Sequence, residues 1–187
     1  GALAANYFLG APLGQDEILS ILTELEGHPD NVAPALLGGL RGSMAVDGRV
    51  LCAEYPVHPG FGFCALIPNF ETSTRDARRV LPGQVPFSDA TANLARLALT
   101  LRALETGDAE MLGTAMDDRL HQPYRKQLIH EYDRVRALAL ANGAAAFCIS
   151  GSGSTLLSIV RAEEAEPFAE RMESALADSH YGWRALA

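Results

Sequence analysis

Apolar residues recur at helical spacing at Ile18, Ile21, Leu22 and Leu25, and this stripe predicts a helix over Asp16–Glu26. Asp16 and Glu17 suit the positive N-terminal end of such a helix, and Gly27 is a natural stop. An irregular polar turn and a short apolar segment, Val32 to Gly39, come next. Ser43–Val46 and Arg49–Tyr55 flank Asp47-Gly48, a dipeptide that favours the tight turn of a β-hairpin. Phe61–Ile67 reads as a buried strand, and Thr74–Val80 as a short helix closed by Pro82. A long helix is predicted from a Ser88 cap through Glu105, with Leu94, Leu97, Ala98, Leu101 and Leu104 on its buried side and Gly107 after its end. Asp108 caps a further helix to about Leu120, and Pro123 opens a short one. Glu131–Asn142 is amphipathic and stops at Gly143. Ala145–Ile149 and Thr155–Val160 are predicted strands around the tight turn Ser150–Ser154. Glu163–Ala177 is helical with Phe168, Met172 and Leu176 inward, and Tyr181–Ala187 forms a final edge strand.

Strands and helices do not alternate strictly, so the expected class is α+β, an antiparallel sheet backed by helices. Pro56, Pro59 and Gly60 mark the domain boundary, giving domains at residues 1–58 and 59–187. The apolar opening Gly1–Leu9 has no basic residue ahead of it, which makes it a poor signal peptide. It reads instead as the tail of a buried helix whose start is missing, so a truncated chain is expected.

Composition narrows the partners. The 187 residues are 48% hydrophobic, as in a globular protein, and carry a net charge of −8 with no basic block, which argues against nucleic acid. No apolar run reaches the ~18 residues of a membrane span. Cys52, Cys64 and Cys148 are an odd set without Cys-x-x-Cys spacing and fit free thiols in a reducing cytosol, hence a cytoplasmic protein.

Four polar clusters carry candidate chemistry. Glu24 and Glu26 sit in the last turn of their helix, where the macrodipole disfavours negative charge by about 0.3–1 kcal/mol each. A bound cation reverses that penalty, and Mg²⁺ takes one or two carboxylates with phosphate oxygens and water. Taken alone, the pair reads better as solvated glutamates, and His28, Asp30 and Asn31 better as a structural histidine and turn formers. In the second cluster, Thr72, Thr74, Arg75, Arg78 and Arg79, Thr74 and Arg78 share a helix face and suit a carboxylate or phosphate; an ordinary solvated helix is the alternative. The third, His121-Gln-Pro-Tyr-Arg125, is either an anion clamp or a helix–helix turn. The fourth, Ser150-Gly151-Ser152-Gly153-Ser154-Thr155, is either an anion nest or a plain Gly-rich hairpin. A serine nucleophile fails on pattern, since the Gly-x-Ser-x-Gly elbow is absent.

The four occur in the order seen in homoserine kinases of the GHMP small-molecule kinase superfamily. Glu26–Gly39 (Glu-Gly-His-Pro-Asp-Asn-Val-Ala-Pro-Ala-Leu-Leu-Gly-Gly) resembles that family's central motif. Thr74–Arg78 with Val80-Leu-Pro82 resembles its second signature, and Leu120–Arg125 its third. Ile149–Thr155 is similar to the superfamily's glycine motif. The resemblance implies a GHMP-kinase-like fold: a remnant of the N-terminal domain plus the C-terminal domain. It implies that Glu26 binds Mg²⁺ and that His28, Asp30 and Asn31 line the homoserine pocket, with Asp30 or Asn31 near the reacting hydroxyl. It implies further that Arg78 and Arg125 bind the substrate carboxylate, that Thr74 supports the site, and that Gly151, Ser152 and Gly153 close over the reacting groups. ATP is the implied co-substrate, O-phosphohomoserine for threonine synthesis the implied product, and a homodimer a possible assembly.

Two departures stand out. Ser154 occupies a place where the family usually has proline, so a looser loop is expected. The superfamily's phosphate loop, Pro-x-x-x-Gly-Leu-Gly-Ser-Ser-Ala, is absent from these residues. The chain by itself is therefore expected to be inactive and to bind nucleotide weakly. A non-catalytic GHMP-like binding module or sensor, or another GHMP small-molecule kinase, is the alternative function.

Overall fold

A computed structural model describes all residues, Gly1–Ala187. The chain divides into two compact units, Gly1–Val57 and His58–Ala187.

The first unit contains α1 (Ala2–Phe8), α2 (Gln15–Glu26), α3 (Val32–Leu37), β1 (Leu40–Val46) and β2 (Arg49–Tyr55). The Glu17 side chain reaches back to the Gly14 N–H at 2.8 Å and closes the first turn of α2. Asp47 and Gly48 both take left-handed backbone angles, φ +49° and +74°, and so join β1 and β2 in register, Val46 opposite Arg49 and Leu40 opposite Tyr55. Ile18, Leu19 and Ala33 are buried, but Leu25 of the predicted stripe is 79% exposed and Ile21 also faces outward. No residue of α1 is buried. The segment is helical, as expected, and its apolar face is uncovered within this unit. Of the short apolar segment read from the sequence at Val32 to Gly39, residues 32–37 form the helix α3.

The second unit is a four-stranded antiparallel sheet in the order β4-β5-β3-β6. Its strands are β3 (Phe61–Ile67), β4 (Ala146–Ile149), β5 (Leu156–Arg161) and β6 (Arg184–Leu186). The last is shorter than the predicted edge strand. Helices α8 (Tyr132–Ala141) and α9 (Ala165–Ala175) supply one side of the core, where Val135, Ala139, Phe168 and Met172 meet Cys64, Leu66, Leu156 and Val160. Phe168, Met172 and Leu176 point inward as predicted. The fold is thus α+β, with antiparallel sheets and helices packed on them.

The remaining helices are α4 (Thr74–Arg79), α5 (Phe87–Thr106), α6 (Ala109–Ala115) and α7 (Gln122–Arg125). Two expectations fail here for one reason. Leu94 and Leu97 of α5 are exposed, 70% and 57%, instead of buried. The polar stripe Asp89, Asn93 and Arg96, at i, i+4 and i+7, turns instead toward the segment after α6, where it bonds Arg119, Asp118 and Asp117. That segment must leave the helix to meet it, so α6 ends at Ala115 and does not reach Leu120. Ser88 is not the cap either: Pro86, with φ −58° and ψ 136°, sets the entry to α5, and Ser88 lies inside the helix. Asp108 does cap α6, accepting the Met111 N–H at 2.9 Å. Gly113 lets α6 approach β4, since a Cβ there would sit 2.6 Å from the Ala145 carbonyl oxygen.

Candidate functional site

Within the first unit, α2 ends at Gly27, whose N–H bonds the Thr23 carbonyl at 2.8 Å. The chain then turns so that His28 Nδ1 contacts Asp30 Oδ1. Asp30 Oδ1 also accepts the Asn31 N–H at 3.0 Å. Glu26, Asp30 and Asn31 are exposed and His28 is half-buried. Glu26 has no ion-pair partner, so its carboxylate is open to a ligand. Glu26 and Asn31 lie on a cleft of about 470 Å³ lined otherwise by apolar side chains such as Leu22, Val32 and Leu36. No three His, Cys, Asp or Glu side chains gather into a metal cage. A lone carboxylate fits the Mg²⁺ habit of taking most ligands from phosphate and water.

Within the second unit, three of the predicted clusters meet at one side chain. Arg125, on α7, donates from Nε to the Ala77 carbonyl of α4 at 3.2 Å and from Nη1 to the Gly151 carbonyl at 3.1 Å. The guanidinium therefore joins the Thr74–Arg79 helix to the glycine loop and retains Nη2 for a further acceptor. Ser73 caps α4 by accepting the Arg75 N–H at 3.2 Å, and Thr74 and Arg78 stand exposed on that helix.

The loop between β4 and β5 is held at several points. Ser150 N–H bonds the Thr155 carbonyl and Gly153 N–H the Ser150 carbonyl, at 3.0 and 2.9 Å. The N–H groups of Gly151 and Ser152 keep no protein acceptor and are free for an anion. Gly153 has φ +86°, and a Cβ there would lie 3.0 Å from Ile129 Cδ1, so a side chain would be strained by the backbone and crowded by Ile129. Ser154 corrects an expectation: it is buried, and its hydroxyl donates to the Phe70 carbonyl at 2.5 Å. The loop is tied down by this serine, not loosened by the lack of proline.

Sequence reasoning missed the supports. Asp118 accepts the His121 and Gln122 N–H groups on Oδ2, at 2.8 and 2.6 Å, and the Asn93 amide on Oδ1 at 2.7 Å. Gln122, itself buried, accepts the Ile149 N–H at 2.8 Å, at the end of β4 where the loop begins. An Asp three residues ahead of His-Gln-Pro is a helix-start signal, but a predicted α6 running to Leu120 concealed it. Burial pushes the Asp118 carboxyl up, yet the hydrogen bonds from Gln122, His121 and Asn93 outweigh this and hold it below the usual carboxylate range. Burial holds His121 below the ordinary imidazole value; Asp118 opposes that shift and Arg125 adds to it. Burial pushes the Cys148 thiol up to about 11, which removes it as a nucleophile near neutral pH.

Comparison with known proteins bears on the family and the fold. A family model described as GHMP kinases C terminal matches residues 100–178. The homoserine kinase of Trichodesmium erythraeum (strain IMS101) is 49% identical over 160 residues, which is 85% of this chain and 52% of that protein. The homoserine kinase of Microchaete diplosiphon is 46% identical over 176 residues, 94% of this chain and 57% of its own. The crystal structure of homoserine kinase from Cytophaga hutchinsonii ATCC 33406 matches with a TM-score of 0.89 at 28% identity, covering 97% of this chain and 60% of that one. The chain thus spans little more than half the length of the curated relatives it matches. No helix is long and apolar enough to cross a membrane.

Proposed function

We propose that this chain, which belongs to the homoserine kinases of the GHMP kinase superfamily, carries the acceptor-binding part of an enzyme that transfers the γ-phosphoryl group of ATP to L-homoserine. The hydroxyl oxygen of homoserine forms a bond to the γ-phosphorus, the bond from that phosphorus to the β-bridging oxygen breaks, and ADP leaves. The product is O-phospho-L-homoserine, on the route to threonine. Such a transfer needs positioning and charge neutralisation more than covalent help from the protein.

Homoserine presents a carboxylate, an ammonium and a hydroxyl. Arg125, with Nη2 free, and Arg78, exposed on α4, take the carboxylate through charge-assisted hydrogen bonds. Thr74 stands on the same short helix and supports that contact. Asn31 and Asp30 address the hydroxyl, and Asp30 is the carboxylate available to receive its proton. His28, in contact with Asp30, holds that carboxylate in place. The free N–H groups of Gly151 and Ser152 and the turn at Gly153 suit the charge that spreads over the transferring phosphoryl oxygens. Glu26 would hold Mg²⁺, which when bound would supply neutralisation of the phosphate charge.

The observation that carries this reading is the Arg125 junction, where one guanidinium ties the Thr74–Arg79 helix to the glycine loop. The reading includes a cytoplasmic location. Its test is an assay of the full-length protein with homoserine and Mg·ATP, read as ADP release and identification of the phosphorylated product by mass. Phosphorylation of homoserine well above that of other hydroxy amino acids supports it. No phosphoryl transfer, or equal transfer to alcohols lacking a carboxylate, contradicts it.

A further inference from the structure

Arg125 lies on a helix of only four residues, Gln122–Arg125, which cannot hold its own orientation. Its first turn is fixed from outside by a single carboxylate. Asp118 takes both N–H groups that open the turn, His121 at 2.8 Å and Gln122 at 2.6 Å, on one oxygen. Its other oxygen takes the Asn93 amide at 2.7 Å, and Asn93 Oδ1 in turn accepts the Arg119 N–H at 2.9 Å. The carboxylate is thereby anchored to α5, the longest helix of the unit.

The turn so fixed presents two side chains to the glycine loop. Gln122 Oε1 accepts the Ile149 N–H just before the loop, and Arg125 Nη1 donates to the Gly151 carbonyl within it. The path from α5 to the loop therefore runs through Asp118. A charged acceptor serving three donors is stronger and more directional than a neutral one, and its side chain is only 13% exposed.

We propose that Asp118 is a positioning residue: by holding the opening of α7 against α5, its carboxylate aims Arg125 at the substrate carboxylate and sets the glycine loop beside it. It touches no substrate and acts through Arg125 and Gln122. The proposal rests on the reading of Arg125 as a homoserine contact, and the experiment separates the two.

The full-length protein is compared with Asp118→Ala, Arg125→Ala and the double variant, with homoserine and ATP varied separately. Asp118→Ala raises the homoserine KM about tenfold, because a small displacement of a binding group is costly, and leaves the ATP KM within about twofold. In the Arg125→Ala background the same substitution changes the homoserine KM less than about twofold, since coupled residues are not additive. Full additivity, or an unchanged homoserine KM in the single variant, overturns the proposal. Asp118→Asn keeps one acceptor oxygen and gives an intermediate KM; it replaces the alanine variant if that one does not fold. Amide hydrogen exchange is measured on the same samples. Faster exchange at Ile149 and at residues 150–154, with core amides of α9 unchanged, supports the assignment even if the wild-type protein proves not to act on homoserine. Unchanged exchange at those amides overturns it.

Discussion

The two units hold their candidate residues in opposite ways. In Gly1–Val57, His28, Asp30 and Asn31 are fixed by neighbours: Asn31 N–H bonds Asp30 one residue away, and His28 contacts Asp30 two residues on. In His58–Ala187, the bonds that join one candidate cluster to another part of the fold are distant in sequence. Gln122 reaches Ile149 across 27 residues, Arg125 reaches Ala77 across 48, and Ser154 reaches Phe70 across 84. The cores differ alike, with an apolar stripe on α2 that is buried at Ile18 but exposed at Ile21 and Leu25, against a filled layer beneath α8 and α9. Local bonds survive loss of the surrounding fold, whereas bonds across the sheet exist only when the sheet is packed.

The largest effect expected from that contrast is in the cores. Phe168→Ala, at a site with no exposure, costs about 3–5 kcal/mol in denaturant unfolding. Leu25→Ala, at a site 79% exposed, stays within about 0.5 kcal/mol. Equal costs would erase the distinction between the units. Next comes Gly153→Ala, which forces a side chain into φ +86° and against Ile129. It costs about 1–2 kcal/mol for the backbone alone, and the full-length protein loses activity more than stability. Retained activity with a normal loop would show that the glycine turn is not needed.

These expectations also mark how much was legible in the sequence. Helix α2, the Asp47-Gly48 turn, strands β3, β4 and β5, and the inward face of α9 all follow from periodicity and turn chemistry, which are local. The residues of the four clusters were legible as polar groups out of place. What failed was tertiary. Along the first half of α5 the packed face is its polar stripe, Asp89-Asn93-Arg96, because partners at residues 117–119 satisfy it there, and apolar burial begins only at Ala103 and Leu104. Nothing in the α5 sequence announces that partnership. Ser154 likewise reads as a loosened turn until Phe70 supplies its acceptor.

Smaller effects sharpen the comparison. Ser154→Ala removes one hydrogen bond that crosses the unit and costs about 1 kcal/mol, with faster amide exchange confined to residues 150–154. An unchanged loop would mean that the bond to Phe70 contributes nothing. The smallest effect is on pH dependence. His121 has a depressed value when folded, so its contribution is complete above about pH 6.5 and is lost as pH falls, because the unfolded chain takes the proton first. Asp118 is likewise depressed, and its contribution is lost only as pH falls below about 3.9. His121→Gln therefore flattens the melting-temperature profile between about pH 7 and 5 and leaves the acid limb in place. An identical slope in that window would remove His121 from the account.

The account turns on Arg125 as the point where a small carboxylate is recognised. Homoserine saturation of full-length Arg125→Ala tests it most directly. Loss of a charge-assisted contact worth about 1.5–3 kcal/mol raises the homoserine KM by roughly ten- to a hundredfold, with the ATP KM near its original value. A homoserine KM equal to that of the unaltered enzyme would contradict the assignment.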